Sequence, residues 1–152
     1  MAKLKIKDVM EKPVFIKGSA TKKEIIELTK KHPHIPIFFV VDSKGCFLGD
    51  IHENDMFLMV IPNDCYDKIG VDVGFDVERR FFSNTAKELM RRHDLRCSPE
   101  DSLMDAAIAI AGSEVNEMPV IDKNGRVVGL ITEGILIRHM DLSAEESSKG
   151  DR

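Results

Sequence analysis

Two stretches of this chain repeat one another at a constant offset of 80 residues. Val41-Asp42-Ser43-Lys44-Gly45-Cys46-Phe47-Leu48-Gly49-Asp50-Ile51-His52-Glu53 matches Ile121-Asp122-Lys123-Asn124-Gly125-Arg126-Val127-Val128-Gly129-Leu130-Ile131-Thr132-Glu133. Lys7-Asp8-Val9-Met10 matches Lys87-Glu88-Leu89-Met90 in the same register. Two separated blocks in one register mark a tandem duplication, and each copy must then be one supersecondary unit that depends on the other for a full core.

Both copies predict the same order of elements. A short amphipathic segment ends in Met10 or Met90, and an extended piece follows, Val14-Phe15-Ile16 or Asp94-Leu95-Arg96-Cys97. Thr21-Lys22-Lys23-Glu24 then reads as a capping box opening a helix. In the second copy Ser98-Pro99-Glu100-Asp101 offers a cap, a proline at the first helical position and acids in the first turn. Leu103, Ala106, Ala107 and Ile110 fall at helical spacing on one buried face that ends near Gly112. The apolar run Ile37 to Val41 predicts a buried strand, Asp42 to Gly45 a turn, and Phe47 to Ile51 the returning strand. Met118 to Ile121, Asp122 to Gly125 and Arg126 to Ile131 repeat that hairpin, and a closing helix follows His52 or Thr132. Each repeat is predicted as β-α-β-β-α, an α/β (α+β) fold, over residues 4–62 and 85–141. Residues 63–84 form an insert between the copies, read as a loop with one strand-like piece at Val71, Val73, Phe75 and Val77 and anchored by Phe81-Phe82. Residues 142–152 are polar and read as a disordered tail.

A net charge of -4 lacks the footprint of a duplex-binding protein, and 6% aromatic content with no Trp disfavours a base-stacking surface. Arg79, Arg80, Arg91, Arg92 and Arg96 read as solvated surface. Cys46, Cys65 and Cys97 have no paired spacing, which fits a reduced, cytoplasmic setting. The longest apolar runs fall well short of a membrane span of about 20 residues.

The set Asp8-Val9-Met10 and Glu88-Leu89-Met90, Met118-Pro119-Val120-Ile121-Asp122, and Gly129-Leu130-Ile131-Thr132-Glu133 resembles the tandem CBS domain pair, or Bateman module, named after cystathionine β-synthase. The resemblance covers about residues 4–60 and 84–141. It implies two repeats packed sheet to sheet about a pseudo-twofold axis, with two clefts between them, and pairs that commonly dimerise. It implies adenosine nucleotides (AMP, ADP, ATP) as ligands, or S-adenosylmethionine.

The family's ligand signature is a Gly, two apolar residues, Ser or Thr, two variable residues and Asp. The hydroxyl residue stands at a helix start that attracts phosphate, and the Asp accepts both ribose hydroxyls. The first copy reads Gly49-Asp50-Ile51-His52-Glu53-Asn54-Asp55, keeping the Asp but placing His52 at the hydroxyl position. The second reads Gly129-Leu130-Ile131-Thr132-Glu133-Gly134-Ile135, keeping Thr132 but losing the Asp. The resemblance therefore implies one site centred on Asp55 and His52, lined by Val14, Phe15, Ile16, Ile35 and Pro36, with Thr132, Met118 and Pro119 of the second copy as further ligand-binding residues.

No catalytic constellation is predicted, and Glu53 with Asp55, or Glu100 with Asp101, reads as helix capping. No metal site is predicted, since His32-Pro33-His34 lacks further spaced ligands. The expected function is a regulatory, non-catalytic module that binds an adenine nucleotide, needs no cofactor and signals to a partner protein. The alternative is a ligand-free dimerisation module with degenerate sites. A homodimer is expected, with Met56, Phe57, Met59 and Met104 as interface candidates.

Overall fold

Thr21 closes an extended stretch, its hydroxyl accepting the Glu24 amide while Glu24 reaches back to the Thr21 amide. Helix α2 (Lys22–Lys31) therefore starts where the sequence places it. Before it come a single helical turn, α1 (Ile6–Val9), and strand β1 (Phe15–Lys17). After it come strands β2 (Ile37–Val41) and β3 (Phe47–His52), then helix α3 (Glu53–Val60). The computed structural model describes residues 3–70 and 74–142.

Strands β1 and β2 run parallel, with Phe15 opposite Phe39, and β2 and β3 run antiparallel, with Ile37 opposite His52. The hairpin turn is fixed by Asp42, whose carboxylate accepts the amides of Lys44 at 2.8 Å and Cys46 at 3.0 Å. Gly45 takes φ +82° there, and Gly125 takes φ +81° at the same place in the second hairpin.

The insert differs from its expected form. It contains a 3-10 helix, Asn63–Lys68, and helix α4 (Phe75–Phe81), so the alternation ending at Val77 does not mark a strand. Asp76 forms ion pairs with Arg79 at 3.0 Å and Arg80 at 3.0 Å, one helical turn away, and this spacing outweighs the short apolar alternation. Val71 and Val73 lie outside the described residues, as does most of the tail expected to be disordered. Phe81 is fully buried and forms an aromatic cluster with Tyr66 and the more exposed Phe82, with ring centroids 4.9–5.0 Å apart.

The second copy continues with α5 (Ala86–Leu89), α6 (Leu103–Ala111), β4 (Glu117–Ile121), β5 (Val127–Thr132) and α7 (Glu133–His139). Its expected first strand is reduced to one parallel bridge between Cys97 and Val120. Helix α6 starts later than Ser98-Pro99 implied. Ser98 and Asp101 close a turn on each other, and Ser102, whose hydroxyl accepts the Asp105 amide at 3.1 Å, is the cap.

The chain divides into two compact units. Of the described residues, one comprises 3–12, 95–122 and 128–142; the other comprises 13–70, 74–94 and 123–127. The unit holding β1, β2 and β3 has a core of Ile16, Ile25, Phe38, Val40, Ile51 and Met59, completed by Ala86, Leu89 and Met90 from the second copy. The unit holding α6, β4 and α7 has a core of Leu103, Ala106, Ile110, Met118, Val120 and Ile131, completed by Ile6 from the first copy. The copies thus exchange their first helical segments. Of the expected interface residues, Met56 and Met59 are buried, whereas Phe57 and Met104 are 65% and 54% exposed.

Candidate functional site

Helix α3 begins where β3 ends, and its first residue is tied to the residue preceding β2: the Glu53 amide donates to the Pro36 carbonyl at 3.0 Å. The second copy repeats this tie, with Glu133 donating to Asn116 at 3.0 Å. The Val14 carbonyl accepts the Phe39 amide at 2.9 Å, which holds the segment before β1 against β2. Of the expected apolar lining, Val14, Ile16 and Ile35 pack into one cluster with Met56, and Pro36 is half-buried beside the start of α3. Phe15 lies on the other face of β1 and is 46% exposed.

Asp55 is fully buried, and both its oxygens are engaged. Oδ2 accepts the His52 amide at 2.9 Å. Oδ1 accepts Arg80 Nη1 at 3.1 Å and Arg91 Nη2 at 2.8 Å, and Arg91 Nε lies 3.0 Å and 3.1 Å from the two oxygens. Burial alone would lower the Arg91 pKa, but the bond to Asp55 outweighs it and raises the guanidinium above its ordinary value. The expectation of a solvated arginine surface is therefore corrected for three residues. Arg80 is buried on Asp55, Arg91 is half-buried on Asp55 and Asn54, and Arg79 donates to the carbonyls of Glu88 at 2.6 Å and Leu89 at 3.1 Å. Arg79 thereby closes the end of α5.

A second polar cluster lies in the same unit. Asp50, fully buried on β3, has Oδ1 3.1 Å from His52 Nε2 and Oδ2 2.6 Å from His93 Nε2. Burial would raise the Asp50 pKa, but the hydrogen bonds from the two imidazoles outweigh it and hold the carboxyl below its usual range. The ligating atoms of Asp50, His52 and His93 all lie within 4.8 Å of one another.

In the other unit Thr132 is half-buried and caps α7, its hydroxyl accepting the Ile135 amide at 3.1 Å. Met118 and Pro119 are buried on β4. Ile135, standing where the first copy has Asp55, is also buried.

Sequence reasoning missed Asp50, His93, Arg80 and Arg91. A signal was present in the repeat. The counterparts of Asp50, His52 and His93 are Leu130, Thr132 and Pro13, and the counterparts of Asp55 and Arg91 are Ile135 and Glu11. The interacting residues come from both copies, and each has a chemically unlike counterpart 80 residues away.

The CBS domain family matches this chain at residues 6–61 and 86–142. Protein MJ1426 of Methanocaldococcus jannaschii is 22% identical over 149 residues, covering 87% of this chain and 88% of that protein. Among solved structures, the CBS domain pair of protein MJ0100 in complex with 5'-methylthioadenosine and S-adenosyl-L-methionine superposes with a TM-score of 0.70 at 22% identity, covering 90% of this chain and 95% of that one. CBSX2 in complex with AMP, a protein of Arabidopsis thaliana, gives a TM-score of 0.71 at 18% identity, covering 88% and 94%.

Proposed function

This chain belongs to the CBS domain family, and from that premise we propose that it is a regulatory, non-catalytic module that binds an adenine nucleotide beside α3 and signals to a partner protein. The observation that carries the reading is the position of Asp55 in the first turn of α3, three residues after His52, with two guanidinium groups on it. Two similar CBS structures hold AMP or S-adenosyl-L-methionine with 5'-methylthioadenosine. The adenine lies among Val14, Ile16, Ile35 and Pro36, and the phosphate lies toward His52 at the helix start. The ribose hydroxyls take the Asp55 oxygens from Arg80 and Arg91, which turn to the phosphates. Binding is thus an exchange of partners around one buried carboxylate, and it gives the module two states to report.

The experiment is a calorimetric titration of the wild-type chain with AMP, ADP, ATP and S-adenosylmethionine. Saturable binding of one of them, weakened roughly tenfold or more in Asp55→Asn at matched folding, is the expected outcome. A wild type that binds none at millimolar concentration refutes the reading.

The second reading, a ligand-free interaction module, is favoured by one feature: Asp55 has every oxygen satisfied without a ligand. In either case we propose a homodimer in the cytoplasm. Its contact is the groove of about 380 Å³ between α6 and α7, lined by Ala107, Ile110, Leu136, Ile137 and Met140. Ile108 and Ile137 stand 64% and 77% exposed on the same two helices. Among the described residues, no helix is long and apolar enough to cross a membrane.

A further inference from the structure

We propose that Asp50, His52 and His93 form a binding site for one divalent transition-metal ion of the zinc class. The inference goes beyond the nucleotide reading and does not depend on it.

The backbone builds the site. Asp50 and His52 are two residues apart on β3, so both side chains leave the same face of the strand. The segment after α5 is fastened to β3 by a reciprocal pair of hydrogen bonds, from the Asp50 amide to the Arg91 carbonyl at 3.0 Å and from the Arg91 amide to the Asp50 carbonyl at 2.8 Å. That pairing brings His93 to the same carboxylate, and the Phe47 ring packs against its imidazole with centroids 5.9 Å apart. Three donors from two backbone segments therefore converge before any ion arrives.

The donor set suits the chemistry. Two imidazole nitrogens and one carboxylate match zinc, cobalt or iron and are a poor set for magnesium or calcium. Donors around a tetrahedral ion with bonds of about 2.0–2.1 Å stand roughly 3.3 Å apart. The His52–Asp50 separation of 3.1 Å is already near that value, and the three ligating atoms span no more than 4.8 Å. Binding replaces the two Nε2 hydrogen bonds to Asp50: each neutral ring moves its proton from Nε2 to Nδ1 by exchange with solvent, and at His52 this gives up the bond that the ring accepts from the Asp55 amide. The side chain of Asp50 has no exposure, that of His52 11% and that of His93 21%, so the ion enters from the His93 side, where the fourth coordination position faces solvent.

The fold itself does not require these groups. At the Asp50 position the second copy places Leu130, equally buried in β5, so an apolar side chain serves the same strand position. Burying a carboxylate there costs free energy that leucine avoids, and its hydrogen-bond compensation comes from the pair of imidazoles, with the Arg91 charge nearby. The counterparts 80 residues away, Leu130, Thr132 and Pro13, carry neither imidazole nor carboxylate. The neighbouring Arg91 directs its guanidinium to Asp55, although its charge also reaches Asp50, so the ion binds against one nearby positive group.

The test is titration of the full-length apoprotein, freed of metal with a chelator, with Zn²⁺ or Co²⁺ alone, and with Mg²⁺ for comparison. One Co²⁺ per chain is expected, with visible d–d absorption of a nitrogen- and oxygen-ligated ion, and Mg²⁺ is expected not to compete. Asp50→Asn and His93→Gln should each weaken binding by at least about tenfold, while the double change His32→Ala and His34→Ala leaves it intact. Binding that survives His93→Gln, or that is lost with His32 and His34, overturns the proposal, as does no binding at millimolar metal. Should the buried variants fail to fold, the ring ¹⁵N resonances of His52 and His93 in the wild type decide: both shift with Zn²⁺ if they are ligands, and unmoved resonances overturn the proposal.

Discussion

Met90 lies directly over Gly49: a Cβ built on the glycine would stand 2.9 Å from the methionine sulfur and 2.6 Å from the carbonyl oxygen of Arg91. The same relationship recurs in the other unit between Met10 and Gly129, where an added Cβ would stand 2.9 Å from the methionine Cγ. The repeated Gly and the repeated Met, 80 residues apart in sequence, are therefore the two halves of one contact, each Met meeting the other copy's Gly. Gly49→Ala is expected to destabilise the protein by about 1–3 kcal/mol, because the neighbour on one side is backbone and cannot swing away. Urea denaturation followed by circular dichroism measures it, and Gly74→Ala, with open space around the new methyl, is the control.

Asp55 and Arg91 should be energetically coupled. Removing the carboxylate takes from buried Arg80 its buried partner and leaves it only the exposed Asp76, so Asp55→Asn should cost about 3 kcal/mol, and the double variant with Arg91→Gln less than the sum of the single changes. A double-mutant cycle on unfolding free energy reads the coupling directly, and strict additivity would contradict it. Any nucleotide-binding assay on Asp55 variants must therefore be run at matched folding.

Acid should erode one contact in a defined window. Glu100 takes hydrogen bonds from Lys5 at 2.7 Å and Lys7 at 2.8 Å, which hold its pKa at about 2, below its ordinary 4.5. A depressed carboxylate contributes stability that is complete above the unfolded value and is lost as pH falls through the folded one. The wild type should lose this contribution between pH 4.5 and about 2, and Glu100→Gln should lose less over the same window. Thermal melts at stepped pH test the sign, and high salt should shrink the difference, since the ion pairs are exposed.

Cys97 should be inert in the native protein. Burial, with Asp101 nearby, pushes its thiol up to about 12, so almost no thiolate exists at pH 8. Native alkylation is expected at the more accessible Cys46 and Cys65, with Cys97 labelled only after unfolding, as read by peptide mass spectrometry. Rapid native labelling of Cys97 would contradict its burial.

The α6–α7 groove should carry the self-association. Ile108→Asp together with Ile137→Asp is expected to convert a dimer to a monomer in light scattering without lowering the melting temperature, since both side chains are exposed. A wild type that is monomeric at high micromolar concentration removes this expectation.

Much of the architecture was legible because it is local or repeated. Capping at Thr21 is a matter of residues three apart, and the Asp42 to Gly45 turn is a matter of neighbours, so both copies of the hairpin could be placed from sequence. The α4 helix was not legible: a short apolar alternation competed with Asp76–Arg79 and Asp76–Arg80 spacings that carry weight only once the helix exists. The late start of α6 has a similar cause, since Ser98 and Ser102 are equally good caps until Asp101 closes the turn that uses Ser98.

For the site the division is sharper. The duplication, the hairpins and Asp55 in the first turn of α3 could be read from the chain alone because each rests on spacing along it, and the family could be read from the resemblance of the repeated motifs. That Arg80 and Arg91 converge on Asp55, and that His93 meets Asp50 from 43 residues away, follows from the folded packing. Charge pairing between distant segments leaves no periodic trace in a sequence. Its partners are chosen by which backbones the core holds together, here the reciprocal hydrogen bonds between Asp50 and Arg91.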